Sequence, residues 1–189
     1  TSAEVKAESD VCCTAANAVE VVESLKVPRV IFLPDEYLGK YVATQTNTEL
    51  VLWKGHCEVH EKFTAGDLRN YRENYDGIVI LAHPECPPDV LSEADYVGST
   101  AGMIREVGKR RPQRVLMVTE CSMSDNVAVE YPQIEFVRPC NLCPHMKLIT
   151  LPKILESLQS MKHIVEVDPR IAGRAREAVR RMLELKPTR

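Results

Sequence analysis

Residues 77–85 read GIVILAHPE and residues 114–120 read RVLMVTE. Each is a short continuous apolar run that ends in a polar tip, His83-Pro84-Glu85 in the first and Thr119-Glu120 in the second. Runs of this kind, rich in β-branched residues, read as strands buried on both faces, the habit of parallel sheets. Three more follow the same pattern: RVIFL at 29–33, ELVLW at 49–53 and IEFV at 134–137. Between them, residues 15–25, 35–45, 64–74, 100–110 and 125–130 carry helical periodicity, with Asp, Ser or Thr near several starts. The alternation predicts an α/β fold with short parallel sheets. Residues 152–160 and 169–185 read as a helical tail, with an extended piece at 163–167 between them.

The chain also repeats itself. A shift of 85 residues lays Glu8 on Glu93, Asp10 on Asp95, Ala16 on Ala101, Val22 on Val107, Arg29 on Arg114 and Val30 on Val115. The turn Thr14-Ala15 falls on Ser99-Thr100, and Cys57 falls within one residue of Cys143. Strands, turns and a cysteine agreeing in one register predict tandem, pseudo-equivalent α/β/α lobes. Residues 1–60 form the first lobe, 61–147 the second, and 148–189 the helical tail. In the same register the first lobe lacks a counterpart of 77–82, its opening strand, so the expectation is a fragment with apolar surface left uncovered.

Composition narrows the function classes. The 189 residues carry 24 Lys+Arg against 27 Asp+Glu, a formal charge of −3, without the basic surplus of a nucleic-acid binder. Apolar residues make up 44%, enough for a sizeable core. No apolar run approaches the ~18 residues of a membrane span. Seven cysteines in a chain of this core content read as thiols of a reducing compartment used for metal or Fe–S chemistry.

Several groups could carry that chemistry. Cys57 and Cys143 each follow a strand at equivalent places, where α/β folds bind ligands, and two such cysteines on a common axis would make a shared metal site; a buried apolar role for Cys57 is the plain alternative. Cys140-x-x-Cys143 has the spacing of a zinc site, a cluster edge or a redox dithiol. Cys12, Cys13, Cys86 and Cys121 read as packing residues. His83 and Glu85, two apart in an extended tip, face one side and could act as an acid–base pair. Ser99 and Thr100 open a helix whose N–H groups could hold an anion, or Ser99 is a plain cap; Thr14 and Ala15 repeat the position. His60 lies three residues after Cys57 and could share its cavity. The Arg-rich stretch 174–181 reads as a solvated helix face.

Several separated motifs in order carry a family resemblance. Residues 1–10, Pro34-Asp35-Glu36-Tyr37-Leu38, Gly55-His56-Cys57-Glu58-Val59-His60, His83-Pro84-Glu85-Cys86-Pro87, Gly98-Ser99-Thr100, Thr119-Glu120 and Cys140-x-x-Cys143-Pro144-His145-Met146-Lys147 resemble the quinolinate synthases, the A proteins of de novo NAD biosynthesis. The resemblance implies three α/β lobes related by pseudo-threefold symmetry around a 4Fe-4S cluster. Cys57 and Cys143 match two of its three cysteine ligands, and the third belongs to an N-terminal lobe that this chain does not include, which makes 1–60 the middle lobe and 61–147 the last. The reaction implied joins iminoaspartate to dihydroxyacetone phosphate to give quinolinate. Phosphate and two waters are lost, and the open iron serves as Lewis acid.

In that pattern Glu85 is the acid–base carboxylate with His83 beside it. Ser99, Thr100, Thr14 and Ala15 contact the substrates, His60 lines the cavity, and Cys140 is a redox-active neighbour. L-aspartate oxidase is the implied pathway neighbour and the cytoplasm the implied location. The sequence departs from the pattern at Ala15, where the family usually carries a serine, and a family Tyr and Asn fall just before Thr1. The expectation is an enzyme segment inactive without that N-terminal lobe. Two other classes stand beside it, a non-catalytic binder of phosphorylated metabolites and a thiol- or zinc-based regulatory protein.

Overall fold

The computed structural model describes residues 1–139 and 141–185. Cys140 lies outside the described residues, and with it the expectations attached to that cysteine. Contacts gather into two units, one of Thr14–Leu142 and one of Thr1–Cys13 with Cys143–Arg189.

The larger unit is α/β with parallel strands throughout, as the apolar runs predict. A two-stranded sheet pairs β1 (Arg29–Phe32) with β2 (Glu49–Leu52). A four-stranded sheet has the order β4-β3-β5-β6, built from β3 (Ile78–Ala82), β4 (Tyr96–Val97), β5 (Arg114–Val118) and β6 (Glu135–Val137). Alternate residues of its strands enter different cores. Ile78, Ile80, Ala82, Leu116 and Val118 pack with Leu68 and Val90, carried by α4 (Ala65–Asn74) and α5 (Pro88–Ser92). Leu81, Val115, Met117 and Phe136 pack with Met103, Val107 and Val127, carried by α6 (Thr100–Arg110) and α7 (Ser122–Glu130). A strand sends successive side chains to opposite faces, so helices on both sides produce the three-layer arrangement expected.

The two-stranded sheet differs from expectation. Its strands are not buried on both faces: Ile31 is 72% exposed and Trp53, just past β2, 64% exposed. The helix α3 (Glu36–Ala43) packs against β2, and Gly39 permits the approach, since a Cβ there would meet Leu52 at 2.5 Å and Phe32 at 3.0 Å. Among the described residues β1 pairs with β2 alone. The helix expected at 15–25 begins only at Ala18, as α2 (Ala18–Ser24). Before it, Asn17 and Thr14 close a turn, with the Asn17 side chain accepting the Thr14 N–H at 2.8 Å.

β1 and β5 begin at Arg29 and Arg114, and the five-residue helices α1 (Ala3–Ala7) and α5 begin at Ala3 and Pro88. In the smaller unit α1 packs on α9 (Pro169–Glu184), burying Ala7, Ala175 and Ala178. There the Cys12 N–H donates to the Ala178 carbonyl at 3.0 Å. The other helix of that unit, α8 (Leu151–Ser160), buries none of its residues.

Leu116→Ala and Met117→Ala each remove a fully buried side chain from a different layer, and each should cost about 2–5 kcal/mol in urea unfolding. Ile31→Ala, at an exposed position, should cost less than about 1 kcal/mol.

Candidate functional site: a cysteine, two histidines and a carboxylate at the sheet's switch point

From β3 the chain runs through α5 to β4 on one side, then returns through α6 to β5 on the other side of β3. The ends of β3 and β5 therefore flank a topological switch point, the place where open α/β sheets bind ligands. His83, Pro84 and Glu85 extend from β3, and Thr119 directly follows β5. The His83 N–H donates to the Val118 carbonyl at 3.2 Å and ties the two tips together. From outside this sheet come Cys57, on the loop after β2, and His60, which opens a short 3-10 turn at His60–Lys62.

His60 is the hub. It is only 7% exposed. Its Nε2 lies 3.0 Å from Thr119 Oγ1, a hydroxyl that is itself buried. Its Nδ1 lies 3.1 Å from Glu85 Oε2, yet out of line for a hydrogen bond, which leaves this buried nitrogen without a hydrogen-bond partner. The His83 ring stacks on the His60 ring with centroids 4.6 Å apart. The Glu85 N–H donates to His83 Nδ1 at 3.4 Å, so the proton of a neutral His83 sits on Nε2. Asp35 caps α3 by accepting the Leu38 N–H at 2.7 Å, and its other oxygen accepts the Cys57 N–H at 3.1 Å, which holds the cysteine loop in place.

The groups shift one another. Burial works against a charged His60, but the Cys57 thiol and the Glu85 carboxylate outweigh it and raise its pKa to about 9. Burial, reinforced by the His60 charge, lowers His83 to about 4. Burial pushes Glu85 up, but the contact with His60 and the nearby imidazoles overcome it and hold the carboxyl below its ordinary range. The His60 ring, helped by backbone N–H groups of His60 and Val59, holds the Cys57 thiol below its usual value against burial. Burial raises Asp35, with Glu85 adding to it, and raises Cys86, which is fully buried.

Cys57, His60, His83 and Glu85 thus meet at one place. Ser99, in the adjacent β4 tip, caps α6 by accepting the Gly102 N–H at 3.2 Å, and Thr100 begins that helix. The Thr14 hydroxyl donates to the Asn17 side chain at 3.0 Å, with Ala15 in the same turn. Cys143 belongs to the smaller unit, where its sulfur accepts the Met146 N–H at 3.5 Å. The sequence reading did not single out Thr119 or Asp35 as site residues. The signal available was their position, each directly after or near the end of an apolar run. As a donor set, a thiol of lowered pKa, an orphaned imidazole nitrogen and a carboxylate oxygen fit a transition metal or an iron centre.

A family model described as Quinolinate synthetase A protein matches residues 1–184. The chain belongs to that family. It is 63% identical over 183 residues to Quinolinate synthase 2 of Mesorhizobium japonicum, covering 97% of this chain and 56% of the relative. It is 63% identical over 185 residues to the quinolinate synthase of Agrobacterium fabrum, covering 98% of this chain and 54% of the relative. It is 56% identical over 185 residues to that of Xylella fastidiosa, covering 98% and 55%. The chain therefore spans about half the length of the quinolinate synthases it matches. Among the described residues no helix is long and apolar enough to cross a membrane.

Two measurements check the local chemistry. Iodoacetamide should label Cys57 of the metal-free chain at least roughly 10-fold faster than Cys86, read by peptide mass spectrometry. Asp35→Ala should cost about 1–2 kcal/mol of stability, and Asp35→Asn, which keeps a capping oxygen, less than half of that.

Proposed function

We propose that this chain is the portion of a quinolinate synthase that carries the acid–base residues and two of the three cluster cysteines. The whole enzyme would join iminoaspartate to dihydroxyacetone phosphate, releasing one phosphate and two waters to leave quinolinate. The observation that carries this reading is the convergence of Cys57, His60, His83 and Glu85 beside the tips of β3 and β5. Cys57 and Cys143 would supply thiolates to a 4Fe-4S cluster, and a third cysteine would come from a lobe outside this chain. When bound, such a cluster with one open iron supplies a Lewis acid for dehydration. The division into lobes 1–60 and 61–147 with a tail at 148–189 belongs to the same proposal, as do the pathway neighbour L-aspartate oxidase and a cytoplasmic location.

The residues' own roles follow from their protonation. At neutral pH Glu85 is ionised beside a protonated His60. Its side chain is 25% exposed, against 9% for His60, so Glu85 is the group that can take a proton from a bound substrate. His60, 3.1 Å away, stabilises the carboxylate and accepts no proton itself. The neutral His83 keeps Nε2–H as a donor for a substrate oxygen. Ser99 and Thr100 are assigned to a substrate carboxylate or phosphate because α6 presents its N-terminus at the neighbouring β4 tip. Thr14 and Ala15 carry the same assignment by repetition, although the Thr14 hydroxyl is already engaged by Asn17.

The test is a chimera in which this segment replaces the matching half of the Agrobacterium fabrum relative, reconstituted anaerobically with iron and sulfide. Quinolinate formation is expected. Glu85→Gln should lower kcat at least about 100-fold while the brown colour of the cluster persists, and Cys57→Ala should abolish the colour. A chimera that forms quinolinate with undiminished kcat after Glu85→Gln would overturn the role of Glu85. A reconstituted, folded chimera that makes no quinolinate would overturn the reading as a whole.

A further inference from the structure

We propose that Cys57 Sγ, His60 Nδ1 and a Glu85 carboxylate oxygen bind a single zinc-class divalent ion when no cluster is assembled. The inference rests on the geometry of these three side chains and stands whether or not the chain takes part in quinolinate synthesis.

Cys57 and His60 are three residues apart at the entry to a 3-10 turn, which the Glu61 N–H closes by donating to the Cys57 carbonyl at 3.0 Å. Glu85 arrives from the tip of β3. The three donor atoms all lie within 4.8 Å of one another. Zinc bonds to such donors are about 2.0–2.3 Å long, which puts tetrahedral neighbours roughly 3.3–3.8 Å apart. The His60–Glu85 pair is already at 3.1 Å, so closing the set needs side-chain movements of about 1 Å.

The imidazole is prepared for this role on both sides. Once the charged ring gives up its Nδ1 proton, the tautomer that keeps Nε2–H toward Thr119 Oγ1 leaves the lone pair on Nδ1, the buried nitrogen that has no hydrogen-bond partner. Metal-binding histidines characteristically have their second nitrogen held in this way. The hydrogen bond from the Cys57 N–H to Asp35 fixes the loop that carries the sulfur. Cys57 and Glu85 are only partly buried, which leaves an entry path and a fourth position for water. A thiol, an imidazole and one carboxylate form a set that suits zinc, and magnesium or calcium would want oxygen alone. On binding, the Cys57 thiol proton and the Nδ1 proton of the charged His60 ring both pass to the buffer. One sulfur serves one centre at a time, so the single-ion state and a cluster on Cys57 exclude each other.

Titration of the full chain, stripped of metal and cluster, with Co2+ tests the proposal. One equivalent should bind, with intense four-coordinate d–d bands and a thiolate-to-cobalt charge-transfer band, both reversed by Zn2+. Cys57→Ser should abolish the charge-transfer band, and His60→Gln and Glu85→Ala should each weaken binding more than about 10-fold. Thr119→Val removes no ligand, so it should weaken binding about 10-fold while keeping the d–d spectrum. Cys143→Ala should change nothing. Far-UV circular dichroism establishes that each variant is folded. Cobalt binding that survives His60→Gln in folded protein, or that disappears with Cys143→Ala, would overturn the assignment and place the ion at the Cys140-x-x-Cys143 motif. Failure of the chimera to make quinolinate would leave the cobalt spectrum untouched, so the two readings fail separately.

Discussion

A buried imidazole must have both ring nitrogens answered, and the hydrogen bond between His60 and Thr119 answers one of them. That bond fixes the ring plane, selects which nitrogen faces Glu85, and lets His83 stack from the side. It is possible because Thr119 directly follows a strand whose neighbour, β3, leads into His83 and Glu85. The parallel pairing of β3 with β5, from Ile78 opposite Arg114 to Ala82 opposite Val118, therefore sets the site. A one-residue slip would turn every side chain of one strand to the other layer and separate Thr119 from His60.

Within this arrangement two chemically identical rings behave oppositely. His60 is held protonated and His83 neutral, although their centroids are 4.6 Å apart. Stacked imidazoles cannot easily both carry a charge, so the pair divides. The division is settled by what faces each ring: a thiol and a carboxylate at His60, and apolar burial with a more distant carboxylate at His83, whose Nδ1 is 3.8 Å from Glu85. The thiol and carboxylate that keep a proton on His60 would hold a metal cation in that proton's place. The same three side chains thereby serve proton transfer in one reading and metal coordination in the other.

The two sheets of the larger unit meet different fates. The four-stranded sheet is covered on both faces and supplies two of the three backbone segments that build the site. The two-stranded sheet is covered by α3, yet leaves Ile31 and Trp53 in the open. It nevertheless contributes the cysteine, because the loop after β2 is anchored to Asp35 at the end of the β1 segment. The exposed apolar residues of this sheet and of α8 stand in a chain that spans about half the length of its relatives.

Local pattern carried a good deal of this molecule. Continuous apolar runs marked the five main strands, and chemistry-bearing residue types marked Cys57, His60, His83 and Glu85 one at a time. The order β4-β3-β5-β6 was not legible, because strand adjacency is a long-range choice that periodicity does not encode. Nor were the five-residue helices α1 and α5, which are shorter than two turns and leave no periodic trace. Thr119 and Asp35 look like ordinary strand-end residues until packing places one against His60, across 59 positions, and the other against the Cys57 amide, across 22. Composition and spacing name the reactive groups; their pairing and their protonation arise from contacts between segments far apart in the chain, and folding alone brings those together.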